Sequence, residues 1–283
     1  MKPGVYRIPS DEYRADKMCP EPSLSRSIIK ELIACPAKAW LKHPRLNPAY
    51  VSEEKTIFDI GTISHALLLE GMDKATVIDA KDWKTVAARE ARDEARAKGE
   101  VPILPHQHKS VQEMVKAADE QLAASDLGIT DLRKEGDSEL SYIWEEQGIW
   151  MKARPDWIID DRTKFIDYKS TGTIVTPEEY NRIVVSSGLD IQDAFYSRGI
   201  NYIERSNPEY ILMVQEISPP YLCAFMRLDP MFKEMGEQKV AHGIGLWRYC
   251  LKNSTWPGYT GKIQTVSPKP WHLADWEQKQ AEI

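Results

Sequence analysis

Apolar residues in the first half of the chain recur every three or four positions, which is the period of a helix with one buried face. This pattern predicts helices over Ser23–Pro44, Lys81–Glu100 and Leu104–Ser125, and a helical run at the end of the stretch Lys55–Gly71. Pro36 should break or restart the first helix, because a proline ring cannot continue a helical backbone. The first half of the chain is therefore predicted to be mainly helical.

Near Asp137 the pattern changes to alternation, with many aromatic and β-branched residues. The stretch SELSYIWEEQGIWMKARPDWIIDDRTKFIDYKST, with turn signals at EEQG and DDRT, predicts a three-stranded antiparallel meander. Beyond it the sequence predicts two helices, two strands separated by Pro219-Pro220, and a last helix that begins at Pro230. This order of elements predicts a protein of the α/β class.

The tail of the chain from Ser254 carries Trp256, Trp271 and Trp276 among prolines, so we expect it to be extended and packed on the core. A length of 283 residues suffices for one large domain or two small ones. We expect one domain over residues 1–283. It would comprise a helical part over about residues 1–136, a core over about residues 137–230, and a C-terminal helix and tail over about residues 231–283.

Composition narrows the possible partners and compartment. The net charge of -6 argues against a protein that attracts nucleic acid by bulk charge, although it leaves a local basic groove open. The sequence shows neither a membrane-spanning run of about 20 apolar residues nor a signal peptide, so we expect a cytoplasmic protein. No C-x-x-C pair occurs among the cysteines, which are predicted to be free thiols: Cys19, Cys35, Cys223 and Cys250.

Two aspartates and a lysine mark the stretch RPDWIIDDRTKFIDYKS, which runs from Arg154 to Ser170. If DDRT forms a turn with a loop of two or four residues, Asp156 lies directly opposite Asp167. Their Cβ atoms are then about 4.5–5.5 Å apart on one face. A loop of three residues would break this register. Lys169 shares the face of Asp167, because side chains alternate along a strand.

Two carboxylates about 5 Å apart repel each other by roughly 3 kcal/mol at an effective dielectric constant of about 20. Either one of them is protonated or a cation lies between them. A hard divalent ion such as Mg²⁺ suits carboxylates, waters and a phosphate oxygen, and a neighbouring lysine can neutralise charge growing on the phosphate. The arrangement indicates metal-assisted phosphodiester hydrolysis. The alternative is a pair of exposed acids at a sheet edge beside an ordinary surface lysine.

Several motifs of a known family are present in order. Pro155-Asp156, ten intervening residues and Asp167-Tyr168-Lys169 match the P-D…(D/E)-x-K nuclease signature. The stretch QDAFY places Gln192 and Tyr196 four positions apart on one helical face, and it resembles the Q-x-x-x-Y motif of RecB-like nucleases.

Two upstream stretches extend the likeness. GTISHALLLE resembles the histidine motif of the RecB-like branch and places His65, while Ser23–Pro44 resembles its N-terminal helix that ends in C-P. The chain therefore resembles the PD-(D/E)XK nuclease superfamily. Within the RecB-like branch it most resembles the C-terminal nuclease domain of exodeoxyribonuclease VIII (RecE) and related prophage exonucleases.

The resemblance implies a role for each motif residue. Metal ligands, for Mg²⁺ or Mn²⁺, would be His65, Asp156, Asp167 and the backbone carbonyl of Tyr168. Lys169 would be the catalytic lysine. Gln192 and Tyr196 would contact the substrate or brace the site. Glu139, on the preceding strand, is a further candidate.

Each of the flanking candidates has a structural alternative. His65 is otherwise a satisfied helix histidine, and Gln192 and Tyr196 otherwise form a helix face packed on the sheet. Glu139 is otherwise plain surface charge. The HQH stretch at His106 to His108 is interpreted as an exposed helix start rather than a second metal site.

The resemblance implies a restriction-endonuclease-like fold, with a central mixed β-sheet flanked by helices behind a helical N-terminal half. It implies a metal-dependent DNA exonuclease that degrades linear double-stranded DNA from 5′ to 3′ in phage-type recombination, with the core as its catalytic part. A ring-shaped homo-oligomer and a single-strand annealing partner protein follow from the same likeness. The alternatives are structure-specific or endonucleolytic cleavage at the same site, or a DNA-binding or assembly protein with a vestigial site.

Some RecB-like nucleases hold an iron–sulfur cluster with one cysteine in the N-terminal C-P and three near the C-terminus. Cys35 matches the first of these, but Cys223 and Cys250 are widely spaced, and a fourth ligand would have to be Cys19. We therefore expect no cluster in this chain.

Overall fold

The computed structural model describes residues 1–51 and 59–282 as a mixed α/β structure, which confirms the predicted fold class. The strands are β1 Gly4–Tyr6, β2 Ala75–Val77, β3 Val101–Ile103, β4 Gly136–Ser138, β5 Ser141–Glu146, β6 Ile149–Ala153, β7 Trp157–Ile159, β8 Lys164–Thr171, β9 Glu209–Glu216 and β10 Cys223–Met226. The helices are α1 Ser10–Arg14, α2 Arg26–Ala34, α3 Pro36–Lys42, α4 Asp59–Glu70, α5 Val86–Ala97, α6 Pro105–Ala123, α7 Leu132–Glu135, α8 Pro177–Ser187, α9 Leu189–Glu204, α10 Pro230–Asn253 and α11 Pro270–Ala281. Within the described ranges, no helix combines the length and the apolar character that crossing a bilayer requires.

The predicted helices of the first half form with small changes at their ends. Pro36 restarts the first stretch as predicted, since α2 ends at Ala34 and α3 begins at the proline. The helical run predicted at the end of Lys55–Gly71 is α4, and the part of this stretch before residue 59 lies outside the described residues. The third helix begins later than predicted, because the Thr85 side chain accepts the Ala88 N–H and caps α5 there.

The central sheet has five strands in the order β10-β9-β8-β7-β4, with β8 parallel to β9 and the other pairs antiparallel. The crossover that parallel strands require is made by α8 and α9. Side chains on one face of the sheet, such as Phe165, pack with α2, α9 and α10. Side chains on the other face, such as Ile166, pack with α4 and α6. The sheet therefore lies between two helical layers.

The predicted three-stranded meander is wrong, because its middle strand is divided between two sheets. β5 pairs with β1 on one side and with β6 on the other in a separate sheet, while β7 and β8 pair in the central sheet. The chain changes sheets at Arg154, Pro155 and Asp156. Proline has no N–H to donate to a ladder, so a strand is readily interrupted there.

The N-terminal segment, residues 1–23, is fastened to the second sheet by buried polar contacts. The fully buried Asp16 accepts the Ser23 N–H at 2.9 Å and forms an ion pair with Lys152 at 2.8 Å. The Lys152 ammonium also donates to the Tyr13 carbonyl at 2.6 Å. The Tyr13 ring lies 3.9 Å from the guanidinium carbon of Arg154. These contacts fix the segment beside the point where the chain changes sheets.

A close approach between α9 and α10 holds α9 in place. A Cβ atom added at Gly236 of α10 would lie 2.2 Å from the Asp190 carbonyl oxygen, so only glycine fits there. The Lys239 ammonium is 2.5 Å from the buried Asp190 carboxylate. Because α9 is fixed on this side, its opposite face is presented to β8 at a constant distance.

The prediction for the tail is wrong beyond Trp256. Trp256 packs against the buried Trp247, with ring centroids 5.4 Å apart. The segment from Pro270 forms a helix, which suits proline at a first helical position, and the side chains of Trp271 and Trp276 on it are exposed. The tail is therefore partly helical, and most of it does not pack on the core.

Candidate active site

The motif residues lie at the end of the β7–β8 hairpin that is opposite its turn, and each helical layer contributes a side chain there. His65 comes from α4, Asp167 and Lys169 from β8, and Gln192 from α9. Asp156 lies directly before β7. The β7–β8 hairpin brings Asp156 close to Asp167 and Lys169. His65 and Gln192 are far from the hairpin along the chain, so the packing of α4 and α9 on the sheet brings them to it.

Glu139 is placed beside Asp156 by the backbone. It follows β4 directly, with a left-handed φ of 55° that is uncommon for a residue with a side chain. Its N–H donates to the Asp156 carbonyl oxygen at 3.1 Å. This turn brings the Glu139 carboxylate into the site.

Three of these side chains form a group that could hold a metal ion: His65, Glu139 and Asp156. The His65 Nε2 atom is 3.4 Å from Asp156 Oδ2 and 3.7 Å from Glu139 Oε1, and the ligand atoms of the three residues all lie within 4.8 Å of one another. Asp167, a predicted ligand, lies outside this group. The Tyr168 carbonyl, also a predicted ligand, accepts a hydrogen bond from Lys169 at 3.3 Å.

The charges of these three side chains shift one another's pKa values. Burial alone would lower the pKa of His65, but the hydrogen bond and negative charge of Asp156 outweigh it and raise that pKa. Burial, and then the Asp156 charge, raise the pKa of Glu139. Burial would also raise the pKa of Asp156, yet Lys169 and His65 hold it well below its usual value. Asp156 is thus the ionised centre of the site.

Lys169 provides the cation between the two aspartates. Its Nζ is 2.7 Å from Asp167 Oδ2 and 3.5 Å from Asp156 Oδ2. Partial desolvation would lower the pKa of Lys169, but the negative charges of Asp156 and Asp167 outweigh it and raise that pKa. The side chain is nevertheless 42% exposed, so the ammonium reaches the cleft, whereas Asp167 is only 2% exposed and burial raises its pKa.

The predicted hairpin register is confirmed where the strands pair, with Trp157 opposite Ile166 and Ile158 opposite Phe165. One step further, Asp156 leaves the ladder. Its Oδ2 accepts the Tyr168 N–H at 2.9 Å. The aspartates therefore flank the same point of β8 with an ammonium between them.

Gln192 contacts Asp167 directly, because its side-chain amide donates to Asp167 Oδ1. The Tyr210 hydroxyl lies 3.5 Å from Asp167 Oδ2 and is fully buried. Tyr196 lies one turn beyond Gln192, where its ring approaches Phe165 with centroids 6.3 Å apart. Burial raises the pKa of the Tyr196 hydroxyl, and the charges of Asp167 and Asp156 add to this.

Sequence reasoning missed two residues of the site. Tyr210 lies in a buried apolar strand, where a tyrosine is indistinguishable from core. Arg154 has only 8% of its side chain exposed, and its Nη1 lies 3.7 Å from Glu139 Oε2. A charged residue directly before the P-D pair was the available signal for Arg154.

The site opens into a cavity of about 800 Å³ whose lining includes His65, Glu139 and Lys169. A second cavity of about 510 Å³ also reaches Glu139. The other residues considered in the sequence lie outside this site. The four cysteines are free thiols. His108, at the start of α6, contacts the Asp73 carboxylate at 2.7 Å. The predicted helix start at HQH is confirmed.

We predict that Gln192→Ala lowers kcat/KM about tenfold to a hundredfold, since a lost hydrogen bond to a charged group typically costs about 1.5–3 kcal/mol. Tyr196→Phe should cost a similar factor if its hydroxyl contacts substrate. Activity and melting temperature are measured on both variants. A lower melting temperature with full activity per folded molecule would assign these residues to packing instead.

Comparisons with known proteins agree with this geometry. Residues 25–269 match a family model described as "PDDEXK-like domain of unknown function (DUF3799)". The chain resembles the crystal structure of a protein from Eubacterium rectale named "Putative exonuclease", with 12% identity, 95% of this chain and 98% of that chain covered, and a TM-score of 0.59. At this identity the likeness indicates a shared fold. The structure of SSO0001 aligns with 12% identity over 90% of this chain and 100% of its own, but its TM-score of 0.27 is too low to compare folds. No curated protein sequence matches the chain.

Proposed function

We propose that this chain, which belongs to the family of PDDEXK-like domains described as DUF3799, is a metal-dependent nuclease that hydrolyses phosphodiester bonds of DNA. The family match agrees with the predicted resemblance to the PD-(D/E)XK superfamily. The single observation that carries the proposal is the group of His65, Glu139 and Asp156, with Lys169 in contact with Asp156.

The chemistry of these donors fits a divalent cation. One imidazole nitrogen and two carboxylates, drawn together by the fold, form a donor set that Mn²⁺ accepts, and Mg²⁺ binds to carboxylates with waters completing its shell. A bound Mg²⁺ or Mn²⁺ would supply Lewis-acid stabilisation of the phosphate and ease the deprotonation of water. Asp167 would be a further candidate ligand through Oδ2, the oxygen that Lys169 contacts in this structure.

The protein's own residues account for the rest of the proposed reaction. Lys169 carries a fixed positive charge at the cleft, where it can donate to a phosphate oxygen as negative charge grows on it. Gln192 holds Asp167 through Oδ1 and leaves Oδ2 facing Lys169. Arg154 pairs with Glu139 and restricts where that carboxylate can turn.

We further propose 5′ to 3′ exonuclease action on linear duplex DNA in recombination, by a homo-oligomer that passes the single strand to an annealing partner. Sequence resemblance to prophage exonucleases supports this proposal, and the name of the structural neighbour, "Putative exonuclease", is in line with its exonuclease part alone. We treat residues 1–283 as one domain, because the site draws on elements from α4 to α9. The competing function is endonucleolytic or structure-specific cleavage at the same residues.

Digestion of matched linear and circular duplexes separates these functions. With Mg²⁺ and end-labelled DNA, an exonuclease degrades the linear duplex and leaves the closed circle intact, and the order of label release gives the polarity. Nicking or linearisation of the circle would instead identify an endonuclease. A wild-type protein that binds DNA yet cleaves neither substrate would identify a vestigial site.

We predict that Mg²⁺ and Mn²⁺ support cleavage, and that Ca²⁺ binds without supporting it because its longer, looser coordination positions the reacting groups poorly. Calorimetric titration of each ion is compared with the rate in the same buffer. Full activity in excess EDTA would contradict the metal requirement. An absorbance band of an iron–sulfur cluster in anaerobically purified protein would contradict the expectation for the cysteines.

A further inference from the structure

The N-terminal segment lies outside residues 25–269, which match the family model, yet it forms part of the cleft. Ile8, Pro9, Ser10 and Arg14 line the same cavity of about 800 Å³ as Lys169. The cleft is therefore incomplete without the residues that precede the matched region.

This part of the cavity wall is firmly held. The Ile8 carbonyl accepts a hydrogen bond from Arg154 Nη2 at 2.8 Å, and Tyr13 covers the same guanidinium. β1, directly before Ile8, pairs with β5. The segment thus contacts Arg154, the residue that pairs with Glu139 in the site. These contacts hold the backbone of this wall next to Arg154 and therefore close to Glu139, a proposed metal ligand.

The basic side chains that line this cavity differ in whether an acid neutralises them. Lys74 pairs with Glu70 at 3.0 Å, Lys169 with Asp167 at 2.7 Å, and Arg154 with Glu139 at 3.7 Å.

Arg14 is exposed, and within residues 1–51 and 59–282 no carboxylate lies within ion-pair distance of it. Among the residues that the structure describes, its guanidinium hydrogen-bonds only within its own helix, to the Ser10 carbonyl at 3.3 Å and to Ser10 Oγ at 3.0 Å. Arg14 therefore presents an uncompensated positive charge to the cleft.

We propose that Arg14 is a substrate-binding residue that holds a phosphate of the DNA strand entering the active site. This inference rests on the proposed nuclease function. A guanidinium can donate two parallel N–H groups to the oxygens of one phosphate. The two hydrogen bonds to Ser10 already orient the guanidinium of Arg14. Among the described residues, the side-chain contacts of Arg14 are with Ser10 and not with Asp156, Asp167 or Lys169. In the proposal Arg14 therefore acts on the binding of DNA and leaves the chemical step to those three residues.

The test compares Arg14→Ala with Arg89→Ala, which removes an exposed arginine on α5 that lines neither cavity. Binding of a fluorescent duplex oligonucleotide is measured by anisotropy with Ca²⁺ at several salt concentrations, and cleavage is measured with Mg²⁺. Arg14→Ala should weaken binding about tenfold at low salt and raise KM, with kcat within about twofold. The slope of log affinity against log salt concentration should be smaller for Arg14→Ala by about 1, which is the value for one lost phosphate contact. Arg14→Lys should recover part of the affinity.

The outcomes separate the two proposals. If wild type cleaves DNA and Arg14→Ala binds and cleaves like Arg89→Ala, the Arg14 inference is overturned and the nuclease proposal stands. If wild type does not cleave but Arg14→Ala still lowers its affinity for DNA, the nuclease proposal falls and Arg14 stands as a DNA-binding residue. If Arg14→Ala lowers both kcat and the melting temperature and leaves KM unchanged, the inference is overturned and Arg14 has a structural role.

Discussion

Lys169→Ala is expected to lower kcat by about a hundredfold to a thousandfold. This is the typical cost of removing one group that stabilises transition-state charge. Two further effects follow from its position 2.7 Å from Asp167 and 3.5 Å from Asp156. Metal-free protein should be less stable at neutral pH, since two carboxylates then face each other without a cation. Metal affinity should be retained or increased, because the ammonium no longer competes for those oxygens.

Lys164→Ala is the matched control, since it removes an ammonium from the first residue of the same strand. Rates are measured with Mg²⁺, metal affinity by calorimetry and stability by thermal melting without metal. A Lys169→Ala protein with activity within tenfold of wild type would remove this lysine from the catalytic machinery. Loss of metal binding together with activity would make it a structural residue of the site.

Asp156→Asn is expected to abolish both metal binding and cleavage, because Asp156 alone contacts His65, Lys169 and the backbone of β8. Its effect on stability should depend on pH. The folded protein lowers the pKa of Asp156 below the ordinary value of 3.8, so the ionised form stabilises the fold above that pH. That contribution is lost as the pH falls toward the lower, folded pKa. The variant should therefore be less stable than wild type at pH 7, and this difference should shrink in acid.

Asp161→Asn supplies the control, since it makes the same chemical change in the exposed turn of the same hairpin. It should leave cleavage and metal binding unchanged. Calorimetry with Mn²⁺ and melting curves between pH 3 and 7 measure the Asp156 effects. Metal affinity in Asp156→Asn equal to that of wild type would exclude Asp156 as a ligand, and a stability difference independent of pH would contradict its ionised state.

The register of the β7–β8 hairpin could be predicted because it depends on two local quantities. The alternation of side chains fixes which residues share a face, and the length of the turn fixes which residues are opposite. The pairing of Trp157 with Ile166 follows from these alone. Helical period likewise places Gln192 and Tyr196 on one face of α9 without any knowledge of the fold.

Features that depend on tertiary packing could not be predicted from the sequence in the same way. Alternation runs through Arg154–Asp156 without a visible break, and it does not say which sheet a strand joins. Pro155 carried the local signal, but the partner β1 is only three residues long and offers little pattern of its own. Lys169 was correctly placed on the face of Asp167, but its position between the aspartates depends on the turn that takes Asp156 out of the ladder.

The parallel pairing of β8 with β9 has a consequence for the synthesis of the protein. β8 carries Asp167 and Lys169, but its neighbour β9 spans Glu209–Glu216 and follows two intervening helices. A nascent chain therefore cannot complete the sheet around these residues until β9 has left the ribosome. Pairings of such sequence separation form late, since loop closure must precede them. Chains that end before Glu209 would carry Asp167 and Lys169 without the strand that completes the sheet beside them, so we expect such fragments to lack the proposed nuclease activity.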